Sequence, residues 1–174
     1  MKSDIINIDN SGNGFRDALL QTTKTAQFRD LRHKEALQLR LCAEEMLSLA
    51  RSVTGEMQAT FWLESDGKQF DIHLSTKTVM DREKRNNLLA SATSRKNEAA
   101  STFLGKLRDA FEQALLSDPD YSIPEDALDD LANHPIVISE WDEYEQSILR
   151  EVADDVKIYI RGNMVDMIIT KNYK

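Results

Sequence analysis

Apolar residues recur along this chain with two different periods, and each change of period marks an element. Asp4-Ile-Ile-Asn-Ile8 predicts a short first strand, and Asn10-Ser-Gly-Asn-Gly14 reads as a turn cluster before a helix over Phe15 to Leu31. Leu39, Cys42, Met46, Leu49 and Val53 then fall at helical spacing, which predicts a second helix from about His33 to Val53, stopped at Gly55. From Ala59 the period drops to two. Ala59, Phe61 and Leu63 share one strand face, Phe70, Ile72 and Leu74 share the next, and Asp66-Gly67 supplies a hairpin turn. A second hairpin ends the pattern: Val156, Ile158 and Ile160 alternate, Gly162-Asn163 turns, and Val165, Met167 and Ile169 alternate back.

Between the hairpins the pattern is helical but broken. Asp81 to Ala92 and Ala99 to Leu116 read as helices around the polar run Thr93-Ser-Arg-Lys-Asn-Glu98. Pro119, Pro124 and Pro135 punctuate the segment that follows, which has room for one short helix near Glu125 to Ala132. Ser139 can cap a further helix whose inner stripe is Trp141, Tyr144, Ile148 and Val152. A lone hairpin is marginal in water, so the two are expected to join one sheet with helices packed on it. The fold class that follows is α+β, a two-layer α/β sandwich with a mixed sheet of four to five strands and helices over one face. The 174 residues suffice for a single domain, 1–174, that buries a core without metals or disulfides.

Charge changes this picture in one place. Ser117 to Asp155 holds thirteen acidic side chains and one basic one, Arg150, so a net −8 chain divides into a −12 segment and a remainder of +4. The segment at about 117–155 therefore reads as an acidic helical insertion. Lys77, Arg82, Lys84, Arg85, Arg95, Lys96, Lys106 and Arg108 make the middle basic, which suits either phosphate attraction or a solvated helical face. Without interleaved aromatics the basic stretch argues against nucleic acid as a partner. No apolar run approaches the ~20 residues of a membrane span, and the first ten residues lack a signal-peptide pattern. The single cysteine, Cys42, can form no internal bridge, and a reducing cytoplasm is the expected location.

The order strand, two helices, hairpin, helical region, hairpin, with Leu39-Arg-Leu-Cys-Ala-Glu-Glu-Met-Leu-Ser-Leu-Ala-Arg-Ser-Val53 ahead of the first hairpin, resembles the Bergerat-fold ATPase domain of the GHKL superfamily. Histidine kinase catalytic domains and small anti-sigma factor serine kinases belong there, and the latter are the nearer match in size. The resemblance runs over roughly Ile5 to Thr170 as topology. It implies a nucleotide-binding domain, with ATP and Mg²⁺ as cofactors and a regulatory kinase-like activity.

Residue by residue, the resemblance implies the following. A helical Glu followed four residues later by Asn is the family's first motif; Glu44 matches the Glu as catalytic base, and Ser48 stands in the Asn position as a metal and cofactor ligand. Four residues along a helix put both on one face, and Glu45 is the alternative if the register differs by one. The family's Asp-x-Gly-x-Gly loop corresponds to Ser75-Thr-Lys-Thr-Val-Met-Asp81, which has no glycine; Asp81 is its nearest carboxylate, and Thr76 and Thr78 offer hydroxyls. Its position before Arg82-Glu83-Lys84 favours Asp81 as the cap of the next helix over a role in the loop. The nucleotide lid corresponds to Ser94 to Gly105, where Arg95, Lys96, Asn97 and Gly105 are the candidate nucleotide-binding residues and a helix start would face phosphate.

Other features carry less. Gly12-Asn-Gly14 lacks the third glycine of a dinucleotide fingerprint. His33, His73 and His134 have neither metal spacing nor a nucleophile beside them, and Cys42 lies on an apolar helix stripe. Three functions remain open: an ATP-binding kinase-like protein, a non-catalytic pseudo-ATPase that serves as a protein-interaction module, and an acidic docking surface at Ser117 to Asp155 for a basic partner.

Overall fold

A computed structural model describes residues 1–9, 13–54, 58–117 and 148–174. Its elements are β1 (Ile6–Ile8), α1 (Asn13–Phe28), α2 (His33–Thr54), β2 (Ala59–Asp66), β3 (Gln69–Lys77), α3 (Arg82–Ser91), a 3₁₀ turn (Glu98–Ala100), α4 (Phe103–Ser117), α5 (Ile148–Val152), β4 (Asp155–Arg161) and β5 (Met164–Asn172). The strands form one sheet in the order β1-β2-β3-β5-β4. The α+β two-layer architecture agrees with the sequence expectation. The mixed sheet does not: every ladder among the described residues is antiparallel. The connections explain the difference. β3 and β4 run the same way, but β5 turns back from β4 and inserts between them, so no parallel neighbours meet.

The period-two pattern sets the register. Phe61 pairs with Leu74, Leu63 with Ile72, Ile158 with Met167 and Ile160 with Val165, so all inward residues rise on one face. That face and the inner stripe of α2 (Leu39, Cys42, Ala43, Met46, Leu47, Ala50) form the core. Gly14 lets α1 lie against β1, since a Cβ there would sit 2.3 Å from the Asn7 carbonyl oxygen. Both hairpins turn through a glycine at positive φ, Gly67 at 57° and Gly162 at 59°.

The turn between the two helices that join β1 to β2 is capped on both sides. Helix α1 finishes three residues before the expected Leu31, because Asp30 enters the left-handed region at φ 52°. Leu31 N–H then reaches the Ala26 carbonyl at 3.0 Å and Asp30 N–H the Gln27 carbonyl at 3.0 Å, the two bonds of a Schellman cap. Glu35 holds the start of α2 by accepting from Arg32 N–H at 2.9 Å and from its guanidinium at 2.6 Å, which keeps the carboxyl below its usual pKa.

The other face of the sheet is half-buried and polar. Trp62 stacks on His73 across β2 and β3 with ring centroids 4.8 Å apart, and Lys2 sits over the indole. Ser75 donates to Asp166 at 2.6 Å and Thr170 to Asp71 at 2.7 Å, polar cross-strand pairs on this side, while His73 Nε2 is buried without a partner among the described residues. Among the described residues no helix is long and apolar enough to cross a membrane. The short helix expected near Glu125 to Ala132, the Ser139 cap, and Trp141 and Tyr144 lie outside the described residues.

Candidate functional site

Helix α2 places the first pair of candidates. Its apolar stripe faces the sheet, so residues more than 100° around the helix face outward. Glu44 and Ser48 lie there: Ser48 is exposed, and Glu44 accepts a hydrogen bond from exposed Arg40 at 3.1 Å, with its own side chain 39% exposed. Both share a face, as the spacing requires, and that face carries an i,i+4 ion pair of the ordinary surface kind. Glu45 is half-buried on a neighbouring line of the helix.

The loop after β3 is engaged in structure. Asp81 is the N-cap of α3, its Oδ1 accepting from Lys84 N–H at 2.8 Å while Lys84 Nζ stands 3.7 Å from Oδ2. Thr76 is buried and donates to the Gln58 carbonyl at 3.0 Å. Thr78 is buried too, and its N–H reaches the Asn163 carbonyl at 2.9 Å.

The segment between α3 and α4 holds the most organised chemistry in the described chain. Instead of running from Ala99, α4 starts at Phe103 after the 3₁₀ turn, because Asn97 ties the chain to the edge of the sheet. The Asn97 amide bonds both backbone groups of one β4 residue, accepting from Ile160 N–H at 2.8 Å and donating to the Ile160 carbonyl at 2.9 Å. It also caps the turn by accepting from Ala99 N–H at 3.1 Å. Thr93 repeats the device two pairs away, its N–H reaching the Val156 carbonyl at 2.9 Å and its hydroxyl accepting from Val156 N–H at 2.8 Å. Two side chains thus stand where a sixth strand would pair.

Around this clamp lies a pocket of about 220 Å³, bordered by Asn97, Gly105, Arg108, Asp109, Glu112 and Arg161 among others. Its charges are paired: Arg108 Nε donates to Glu112 at 2.7 Å, and Arg161 donates to Asp166 at 2.9 Å. Glu112 also accepts from Gly162 N–H at 3.1 Å, which fastens the β4–β5 turn to α4. Behind the pocket wall Arg85 is only 2% exposed, and its Nη2 meets Asp109 Oδ1 at 2.5 Å. The same oxygen accepts from Asn97 Nδ2 at 2.5 Å. Among the described residues Arg85 Nε and Nη1 find no partner. The sequence placed Arg85 in a solvated basic stretch, and only the long-range partner on α4 distinguishes it from its neighbours.

Of the seven candidates, Asn97 and Gly105 border the pocket and the other five do not. Gly105 has a packing role, since a Cβ there would lie 2.4 Å from the Ala99 carbonyl oxygen. Arg95 and Lys96 are exposed on the preceding turn, with Arg95 at φ 54°. Among the described residues no cluster of three metal-ligating side chains exists. Burial pushes the Cys42 thiol up to about 11, which keeps it protonated and unreactive at neutral pH. Desolvation lowers the pKa of His73 against Trp62 despite nearby carboxylates. No protein-family model and no curated protein matches this chain.

Proposed function

We propose that this chain is a GHKL-type, ATPase-like domain that works without nucleotide turnover, as a protein-interaction module. The family part of this reading rests on element order, since strand, two helices, hairpin, helical region and hairpin follow one another as the resemblance implies. The non-catalytic part rests on one observation: Glu44, the residue in the general-base position, is held by Arg40 at 3.1 Å in a surface ion pair on the outer face of α2. A general base needs a reacting proton within about 2.6–3.2 Å, in a site that also holds the substrate.

Two further points support it. Asp81 and Asn97 already hold structural partners, so binding adenine or phosphate through them would break a helix cap or a strand-edge clamp. The pocket's volume of about 220 Å³ is below the roughly 300–1,000 Å³ of typical small-molecule sites. A second reading, nucleotide binding without hydrolysis, is favoured by the cations Arg108 and Arg161 beside Asn97 and Gly105 in that pocket.

Phosphate release from magnesium-ATP tests the catalytic half of the proposal. Wild-type protein and Glu44→Gln are expected to release phosphate at the same rate as buffer. Turnover by the wild type that Glu44→Gln abolishes would restore Glu44 to a base role and overturn the proposal.

A further inference from the structure

The sheet face opposite the core holds a histidine whose protonation nothing nearby accommodates. His73 Nε2 is buried and has no hydrogen-bond partner among the described residues. A neutral imidazole leaves that nitrogen as a bare acceptor and packs as an aromatic surface, here on Trp62, its paired neighbour on β2. An imidazolium turns it into a charged N–H donor with no acceptor to meet.

Trp62 is held from both flanks. β3 lies on one side of β2, and residues 1–3 lie on the other, where Lys2 bridges to Glu64. The imidazole stacks on the indole with planes 4° from parallel, and Lys2 Nζ stands 4.9 Å from the same ring centre. One oxygen, Glu64 Oε1, takes both the Trp62 indole N–H at 3.0 Å and the Lys2 ammonium at 3.2 Å. Backbone bonds fasten the segment to β2: Ser3 N–H reaches the Leu63 carbonyl at 2.8 Å and Ser65 N–H the Met1 carbonyl at 2.8 Å. Ser3 Oγ also accepts from Leu63 N–H at 2.9 Å.

We infer that His73 is the proton-sensitive half of a latch, whose protonation in mildly acidic solution frees residues 1–3 from β2. An imidazolium and an ammonium against one indole repel each other, and Glu64 is already engaged by the ammonium. The charged groups around His73 are Glu64 on β2, Asp71 on its own strand, Asp166 on β5 and Lys2. Asp71 accepts from Thr170 and Gln69, and Asp166 from Ser75 and Arg161, so both acids are engaged elsewhere. Desolvation outweighs the three carboxylates and holds the His73 pKa below its ordinary value. Neutral His73 therefore supports the closed latch above about pH 6.5, and that support is lost as pH falls through the lowered pKa. Residues 1–3 are the part that gives way, because Lys2 is half-exposed whereas β3 is paired along both flanks. Their release bares Leu63 to Ser65 as a strand edge on which another extended segment can pair. This inference goes beyond the proposed function and does not depend on it.

Amide hydrogen exchange of the full chain, resolved by NMR from about pH 7.5 down to about pH 5, tests it. Glu64 stays ionised over this range, because the Trp62 indole N–H and Lys2 hold its carboxyl below the usual pKa. Protection of the Leu63 and Ser65 amides is expected to fall below about pH 6.5 by up to tenfold per pH unit, the limit for one linked proton. The buried Met167, in the middle of the sheet, should keep its protection. His73→Phe keeps an aromatic ring on Trp62 without a titrating group, and its Leu63 and Ser65 protection should stay constant. His33 and His134 remain in that variant, so a fall that survives it overturns the inference. A wild type with constant protection overturns it as well. So does a parallel loss at Met167, since the whole sheet then opens rather than its edge. Within the wild type, a His73 ring whose chemical shift stays constant while those two amides lose protection also overturns it.

Discussion

Arg85 carries a full charge into a position 2% exposed, where Asp109 is the carboxylate that meets it. Burying such a pair gains little against packed apolar residues, but removing one partner strands a charge in a low-dielectric interior. Asp109→Ala should therefore cost about 3–5 kcal/mol of unfolding free energy. Replacing both partners, Arg85→Met with Asp109→Leu, should return stability to within about 1 kcal/mol of wild type or exceed it. Urea denaturation of the three proteins checks this, and a double variant as unstable as the single one would give the pair a role beyond mutual neutralisation. Individual residues were the least legible level of the chain. Asp81 was readable as a cap because its partner is three residues away, whereas Arg85 and Asp109 are 24 apart and look like any surface charges. Glu44 shows the converse, since helical spacing put it beside Ser48 but could not say whether that face meets a cleft or solvent.

At the scale of elements, periodicity carried the reading. The α2 stripe and both hairpins fall where the apolar pattern puts them, because each depends on neighbours a few residues apart. What stayed hidden depends on long-range pairing: the 3₁₀ turn before α4, the insertion of β5 between β3 and β4, and the closure of the β4 edge by Thr93 and Asn97. The edge clamp has a measurable weight. Asn97→Ala leaves Ile160 N–H and carbonyl without the amide that satisfies them, and each buried orphan costs about 1–3 kcal/mol. We expect a loss of about 2–4 kcal/mol, read as a lower denaturation midpoint, together with concentration-dependent aggregation through the opened strand edge. An unchanged midpoint would mean that water replaces the amide at no cost and that the clamp is incidental.

On the scale of the whole molecule, the described residues form a sheet covered by helices on one face and carrying polar cross-strand pairs on the other. The candidates implied by family likeness are dispersed over it: Glu44 and Ser48 on the outer face of α2, Asp81 in a helix cap, Arg95 and Lys96 exposed on a turn, Asn97 bonded to the β4 edge, and Gly105 packed against the 3₁₀ turn before α4. The sequence carried the order of elements, which is a property of the whole chain. It did not carry their convergence, which depends on where each helix face points after packing. Titration calorimetry of the full chain with magnesium-ATP tests the central claim most directly. The account predicts no saturable heat, meaning a Kd weaker than about 1 mM. One-to-one binding at or below about 10 μM would contradict it and place a working nucleotide site in this fold.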